Sequence, residues 1–133
     1  MRRNWDLFRK ILEIVEECDG GYPVVATNGA VFSGAHFSLD LPDHDFGEVC
    51  EHMLLLGDAG LAQVRELGRT QEGPAGVAID RLTMAGHDFL SSARDDQRWD
   101  TAMTMVKDKG GAVTVGVLSQ ILAALLKQSF GIS

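Results

Sequence analysis

His44, Glu48 and His52 stand at i, i+4 and i+8, a spacing that on a helix keeps three metal-ligating side chains near one face. Eight residues part the two histidines by about two turns, too far for one tetrahedral ion without a bend. No His pair sits four apart, as the zinc-protease motif requires. The trio therefore reads as a solvated polar face, and no metal or other cofactor is expected. Cys18 and Cys50 lack metal-type spacing and fall inside apolar helical stripes, so two buried, reduced thiols are expected. There is no Gly-x-Ser-x-Gly elbow and no Cys-x-x-Cys, and neither cysteine has electropositive neighbours that would make it a nucleophile. Asp95-Asp96 has the composition of an acid/base pair, but adjacent acids ahead of an apolar stripe more simply cap a helix. The glycines of 68–76 and Gly110-Gly111 lack phosphate-cradle spacing. An enzyme is not expected.

The elements that would position these residues centre on Asp45 to Leu90. Phe46, Val49, Cys50, Met53, Leu54 and Leu56 recur at helical spacing and turn one stripe toward a core. Gly57 or Gly60 ends that helix. Two strand-compatible runs follow, Leu61 to Leu67 and Val77 to Leu82, joined by a turn through 68–76 that is rich in glycine. Helix, bend and hairpin in that order predict a winged helix. Upstream, Asn4 is a good N-cap for a helix to about Cys18, with Leu7, Phe8, Ile11, Leu12, Ile14 and Val15 buried, Glu13, Glu16 and Glu17 solvated, and Gly20-Gly21 as the stop. Between Tyr22 and Pro42 the pattern is weak: Pro23-Val-Val suits a short extended piece, Asn28-Gly29 a turn, and His36 to Leu41 alternates as a half-buried strand does. The second helix of a winged helix should lie here, and no helical period marks it.

Downstream, Thr83 caps a helix to about Ala93 that faces Phe89 and Leu90 inward. Another starts at Asp95 or Asp96, buries Trp99, Ala102, Met103 and Val106, and stops at Gly110-Gly111. The last starts near Thr114 and is apolar almost all round, so it either completes the core or pairs with a second copy through Leu118, Ile121, Leu122 and Leu125. The fold expected is α+β and mostly helical: a winged-helix-like core over 1–93 with two additional C-terminal helices over 94–133, in one domain. A chain of 133 residues with 45 % hydrophobic and 23 % charged content can bury one core without disulfides or metal. No signal peptide opens it, and its longest apolar segment is too short for a bilayer, so a cytoplasmic protein without membrane contact is expected.

Charge bears on partners. Net charge is −7, and all 12 Lys and Arg lie at or before Lys10 or at or after Arg65, so the stretch from Ile11 to Val64 carries acids and no fixed positive charge. A recognition helix offers Arg, Lys, Asn or Gln to DNA. Here it offers Asp45, Glu48, Glu51 and His52, which phosphate would repel. Arg65, Arg69 and Arg81 on the hairpin, with Arg2, Arg3, Arg9 and Lys10, form the basic edge that a DNA-binding regulator would use instead.

The chain resembles a family of small bacterial and phage proteins catalogued only as a domain of unknown function and usually viewed as winged-helix-like. The blocks that carry the resemblance are Asn4-Trp-Asp-Leu-Phe-Arg-Lys-Ile-Leu12, Ala59-Gly-Leu61, Arg81-Leu-Thr-Met-Ala-Gly-His-Asp-Phe-Leu90, Ala93-Arg-Asp-Asp96 with Trp99, and Gly110-Gly-Ala-Val113. Met84 stands where an aromatic is expected. The resemblance implies no catalytic residues. It implies phage, prophage or mobile-element genes, whose small products often regulate transcription or bind host machinery.

The function expected is a non-enzymatic acidic module that binds a protein with a basic surface, as a regulator or inhibitor of a host defence or nucleic-acid-handling complex. Asp40, Asp43, Asp45, Glu48 and Glu51 are its candidate contacts. A transcriptional regulator that contacts DNA through Arg2, Arg3, Arg65, Arg69 and Arg81 is the alternative, and a homo-oligomer built on the last helix is the third.

Overall fold

The computed structural model describes residues 3–18, 21–27, 34–110 and 113–131. Arg2, Gly20, the Asn28-Gly29 turn and Gly111 lie outside them. The order is α1 (Trp5–Glu17), β1 (Val24–Thr27), β2 (Phe37–Ser38), α2 (Phe46–Asp58), β3 (Ala62–Glu66), β4 (Arg69–Thr70), β5 (Gly73–Pro74), β6 (Gly76–Leu82), α3 (Met84–Ala93), α4 (Asp96–Asp108) and α5 (Val115–Ser129). The fold is α+β and mostly helical. It divides into two compact units, 1–87 and 88–133, with the division inside α3.

In the first unit the four-stranded sheet runs β2-β1-β6-β3. The long strand β6 is central because its residues are apolar enough to be enclosed: Val77, Ala78 and Ile79 are fully buried. It pairs antiparallel with β1 on one side and β3 on the other, and β1 pairs parallel with β2. Helices α1 and α2 pack on each other and on this sheet. Asn4 caps α1, its side-chain oxygen accepting the N–H of Leu7 at 3.1 Å, and Asp45 caps α2 through Gly47. The core of the unit is Leu7, Phe8, Ile11 and Leu12 of α1, Val49, Cys50, Met53 and Leu56 of α2, and the strand residues they meet. Trp5, which the helical stripe did not single out, is buried too, while Ile14 is only half-buried.

Several expectations shift. Gly57 lies within α2; the helix ends at Asp58 with Ala59 as its C-cap, and Gly60, with φ +75°, makes the turn into β3. The turn over 68–76 contains a second ladder, β4 with β5. The alternating run from His36 contributes a strand of only two residues, with Leu39 buried beyond it. Among the described residues no helix stands between β1 and α2, so the helix-turn-helix pair that a winged helix needs is not present in them.

Two blocks distant in sequence meet at the base of the hairpin. The Thr83 hydroxyl donates to the carbonyl of Gly60 at 2.6 Å and accepts the N–H of Gly86 at 3.1 Å, capping α3, while the Thr83 N–H donates to Leu61. A Cβ on Gly86 would collide with the Leu61 carbonyl, so the first turn of α3 approaches the chain at Leu61 as closely as glycine alone permits.

In the second unit Asp95 caps α4 through the N–H of Arg98 at 2.8 Å, and Thr114 caps α5 through Val117 at 3.1 Å. Trp99, Ala102 and Val106 are buried, and Met103 is half-buried. Along α5, Leu118 and Leu122 are each 0 % exposed within the single chain, and Ile121 and Leu125 are half-buried. Leu118 and Leu122 thus have no surface to give a second copy. Among the described residues of this unit, the exposed large apolar side chains are Met105, Val117 and Phe130. Among the described residues no helix is long and apolar enough to cross a membrane.

Candidate partner-binding groove

The first turns of α2 and the tip of the hairpin bound a groove of about 710 Å³ lined by Arg3, Asn4, Trp5, Asp45, Gly47, Glu48, Glu51, Glu72, Gly73 and Pro74. Local sequence explains each wall. Asp45 is the N-cap of α2, and Glu48 and Glu51 follow at i+3 and i+6, which sets their side chains along one side of the helix. The opposite wall is the β4–β5 tip, where the Thr70 hydroxyl donates to the Gly73 carbonyl at 3.0 Å and accepts the N–H of Glu72 at 3.2 Å. Gly73, with φ +127°, closes that turn. The residues at the start of α1 complete the lining: Trp5 stacks edge-on against Phe8 with centroids 5.3 Å apart, and the Arg3 guanidinium lies 5.2 Å over the Trp5 ring.

Four carboxylates therefore share one concavity: Asp45, Glu48, Glu51 and Glu72. Glu48 lies 3.6 Å from the ring of His44, one turn before it. Of the acids anticipated from sequence, Asp45, Glu48 and Glu51 line this groove. Asp43 lines a smaller hollow of about 280 Å³ with Asp6, Leu7, Lys10, Leu41, Pro42 and His44, and Asp40 is exposed outside both. Glu72 was not anticipated; it sits in a turn, and only the fold brings it opposite α2.

His52 corrects the expectation of a solvated polar face. It is 0 % exposed. Its Nε2 accepts the backbone N–H of Asn4 at 2.8 Å, and its Nδ1 lies 2.8 Å from the Glu48 carbonyl. A carbonyl can only accept, so Nδ1 carries the hydrogen and Nε2 the lone pair, which makes the ring a neutral bridge between α1 and α2 beneath the groove. His52 is thus removed from the exposed face of α2. Among the described residues no three of His, Cys, Asp or Glu are placed to hold a metal ion.

The two thiols differ in a way their helical stripes did not reveal. Cys50 is fully buried, and burial, helped by the nearby charges of Glu51 and Glu66, pushes its pKa from 9.0 to about 11. Cys18 is only half-buried and lines a separate pocket of about 280 Å³ with Glu16, Tyr22, Arg81 and His87. His87 in turn lies 3.7 Å from Glu16, and Glu13 lies 3.9 Å from Arg9, so two of the acids on α1 have a basic side chain beside them.

The arginines of the hairpin have partners of their own. Arg65 donates to Asp80 through Nε and a terminal nitrogen, both at 2.8 Å, which holds its pKa above the ordinary arginine value. Arg69 donates to Glu66 at 2.7 Å, and Arg81 to the carbonyl of Leu82 at 3.0 Å.

Residues 2–112 match the family described as "Hypothetical protein (DUF2513)". The chain belongs to this family. The match takes in the groove, the hairpin, α3 and α4, and ends before α5. A relative from Haemophilus influenzae, described as "Uncharacterized protein", is 27 % identical over 128 residues, covering 96 % of this chain and 98 % of its own length. No solved structure matches the chain.

Proposed function

We propose that the chain is a non-enzymatic binding module that engages a protein with a basic surface at the groove between α2 and the hairpin tip. One observation carries this reading: Asp45, Glu48, Glu51 and Glu72 line a single concavity in which, among the described residues, Arg3 is the one cation. Carboxylates gathered on concave walls focus the field outward and draw a cationic surface to that place. The concentration of acids on one side of α2 also opposes use of this helix on a phosphate backbone.

The alternative reading, a DNA-binding regulator, depends on the arginines of the hairpin and the N-terminal segment. Pairing of Arg65 with Asp80 and of Arg69 with Glu66 lowers the positive charge they can offer to phosphates, which favours the protein-partner reading. The setting implied by the family resemblance, small genes of phages and mobile elements, fits a regulator or inhibitor of a host complex that handles nucleic acid, since such complexes carry basic surfaces.

A pull-down from bacterial lysate that compares wild type with the Glu48→Lys/Glu51→Lys double variant tests this reading. Partners should be captured by the wild type, release with added salt, and be lost from the variant. The same partners on both proteins would sink it. Retention of duplex DNA fragments that weakens as salt rises would favour the regulator.

A further inference from the structure

We infer that His52 is a proton-operated latch: neutral, it holds the Asn4 cap and first turn of α1 on α2, and uptake of one proton in mild acid releases that turn while the rest of the unit stays closed. The latch works whether or not the groove binds a protein. Of the four histidines in the chain, His52 alone is fully buried, and both of its ring nitrogens are committed. Nδ1 donates to the Glu48 carbonyl on its own helix, and Nε2 accepts the N–H of Asn4 from α1, each at 2.8 Å. The two bonds respond differently to a proton. Nδ1 carries a hydrogen in the neutral ring and in the cation, so the bond to Glu48 survives. Nε2 gains a hydrogen, and a lone pair that accepted becomes a donor aimed at another donor. The backbone nitrogen of Asn4 cannot reverse its role, since it has no lone pair to offer. The cation therefore keeps the ring on α2 and expels the start of α1.

The charges carried by the surrounding elements favour the proton's arrival. On α2 these are Glu48 and Glu51, with the His44 ring 3.6 Å from the Glu48 carboxylate. The hairpin tip brings Glu72 across the groove, and β3 brings Glu66, which acts on Cys50 of the same helix. From the start of α1 come Asp6 and Arg3, the latter lying over the Trp5 ring. Acids outnumber fixed cations, so the field draws a proton to an imidazole, while the Asn4 N–H makes the closed geometry incompatible with it. Release stops at the first turn because Phe8, Ile11 and Leu12 bury the turns that follow. Arg3, Asn4 and Trp5 line the groove, so the acid form lacks that part of its lining.

Amide hydrogen exchange of the isotope-labelled full chain, followed by NMR and expressed relative to unstructured peptide at each pH, tests the latch. From about pH 7.5 to about pH 5, across the titration range of imidazole, the Asn4 and Leu7 amides should lose protection by roughly tenfold, the worth of one hydrogen bond. Met53, on α2, should keep its protection. The ring nitrogen signals of His52 should show a bare Nε2 at the upper pH, and its protonation should coincide with the loss at Asn4. His52→Gln supplies a side-chain oxygen for the same N–H and does not titrate, so it should abolish the step. His44→Gln should keep it. Protection that is flat over this range overturns the latch, as does ring protonation that leaves the Asn4 amide protected. A step that persists in folded His52→Gln, or vanishes from His44→Gln, assigns the proton elsewhere and overturns it too. Equal loss at Met53 and Asn4 would mean that the whole unit opens, which contradicts a local release. If His52→Gln does not fold, the coincidence of the ring and amide transitions in the wild type decides by itself.

Discussion

The imidazole of His52 accepts the backbone N–H of Asn4, 48 positions away, and so ties the first turn of α1 to the middle of α2 under the floor of the acidic groove. Asn4 is also the cap of α1, so one residue serves both helices. His52→Leu, a side chain of similar volume without ring nitrogens, leaves the Asn4 N–H without its acceptor. The expected cost is about 1–3 kcal/mol, read as a lower midpoint in chemical denaturation. A variant as stable as wild type would mean that the bridge contributes nothing.

Gly86 and Gly116 are both helical glycines, and they should respond in opposite ways. A methyl group on Gly86 meets the Leu61 carbonyl, so Gly86→Ala should destabilise by about 1–3 kcal/mol as the α3 turn is pushed off the hairpin base. Gly116 is exposed, and a methyl there makes an ordinary contact 3.7 Å from the Thr114 hydroxyl. Gly116→Ala should stabilise by roughly 0.4–1 kcal/mol. Thermal melts of the two variants give the comparison directly.

These features differ in how far they could be read ahead of the structure. Caps and apolar stripes are local, and Asn4, Thr83, Asp95 and Thr114 each accept the N–H that their positions imply or open the helix expected of them. His52 was misjudged because its acceptor role depends on a backbone N–H, which leaves no trace in a side-chain pattern. Glu72 escaped notice because its place opposite α2 is a tertiary fact about a turn. The segment before α2 was opaque for another reason: β2 has two residues and gains its register from β1, so it is too short to display a period of its own.

The last helix makes the same point. Being apolar almost all round, α5 offers no stripe from which to choose a buried face, and the fold buries Leu118 and Leu122 while leaving Val117 outside. Leu122→Asp should therefore act by placing an unpaired charge in a closed interior, lowering stability by about 3 kcal/mol or more. Val117→Asp should stay within about 0.5 kcal/mol of wild type. Denaturation followed by circular dichroism separates this from the dissociation of an oligomer, which would lower the apparent mass by light scattering and leave a folded monomer.

Thiol reactivity should separate Cys18 from Cys50. At pH 8 a thiol reagent should modify Cys18 readily and reach Cys50 only on unfolding, since that thiol is buried and stays protonated. Mass spectrometry of the labelled protein counts the sites. The pH dependence has a definite sign. The pKa of Cys50 is raised in the folded state, so the associated stability is present below pH 9 and is lost as pH climbs toward 11. The loss should amount to roughly 2–3 kcal/mol, and Cys50→Ser should not show this component.

The most direct test of the proposed function sets the groove against acidity in general. Asp40 is exposed but stands outside the groove, whereas Glu51 and Glu72 line it from opposite walls. Affinity capture from bacterial lysate is compared for wild type, Asp40→Lys, and the Glu51→Lys/Glu72→Lys pair. The groove account predicts that Asp40→Lys keeps the wild-type partners and that the paired variant loses them while remaining folded. Partners kept by the paired variant, or lost equally from Asp40→Lys, would contradict it.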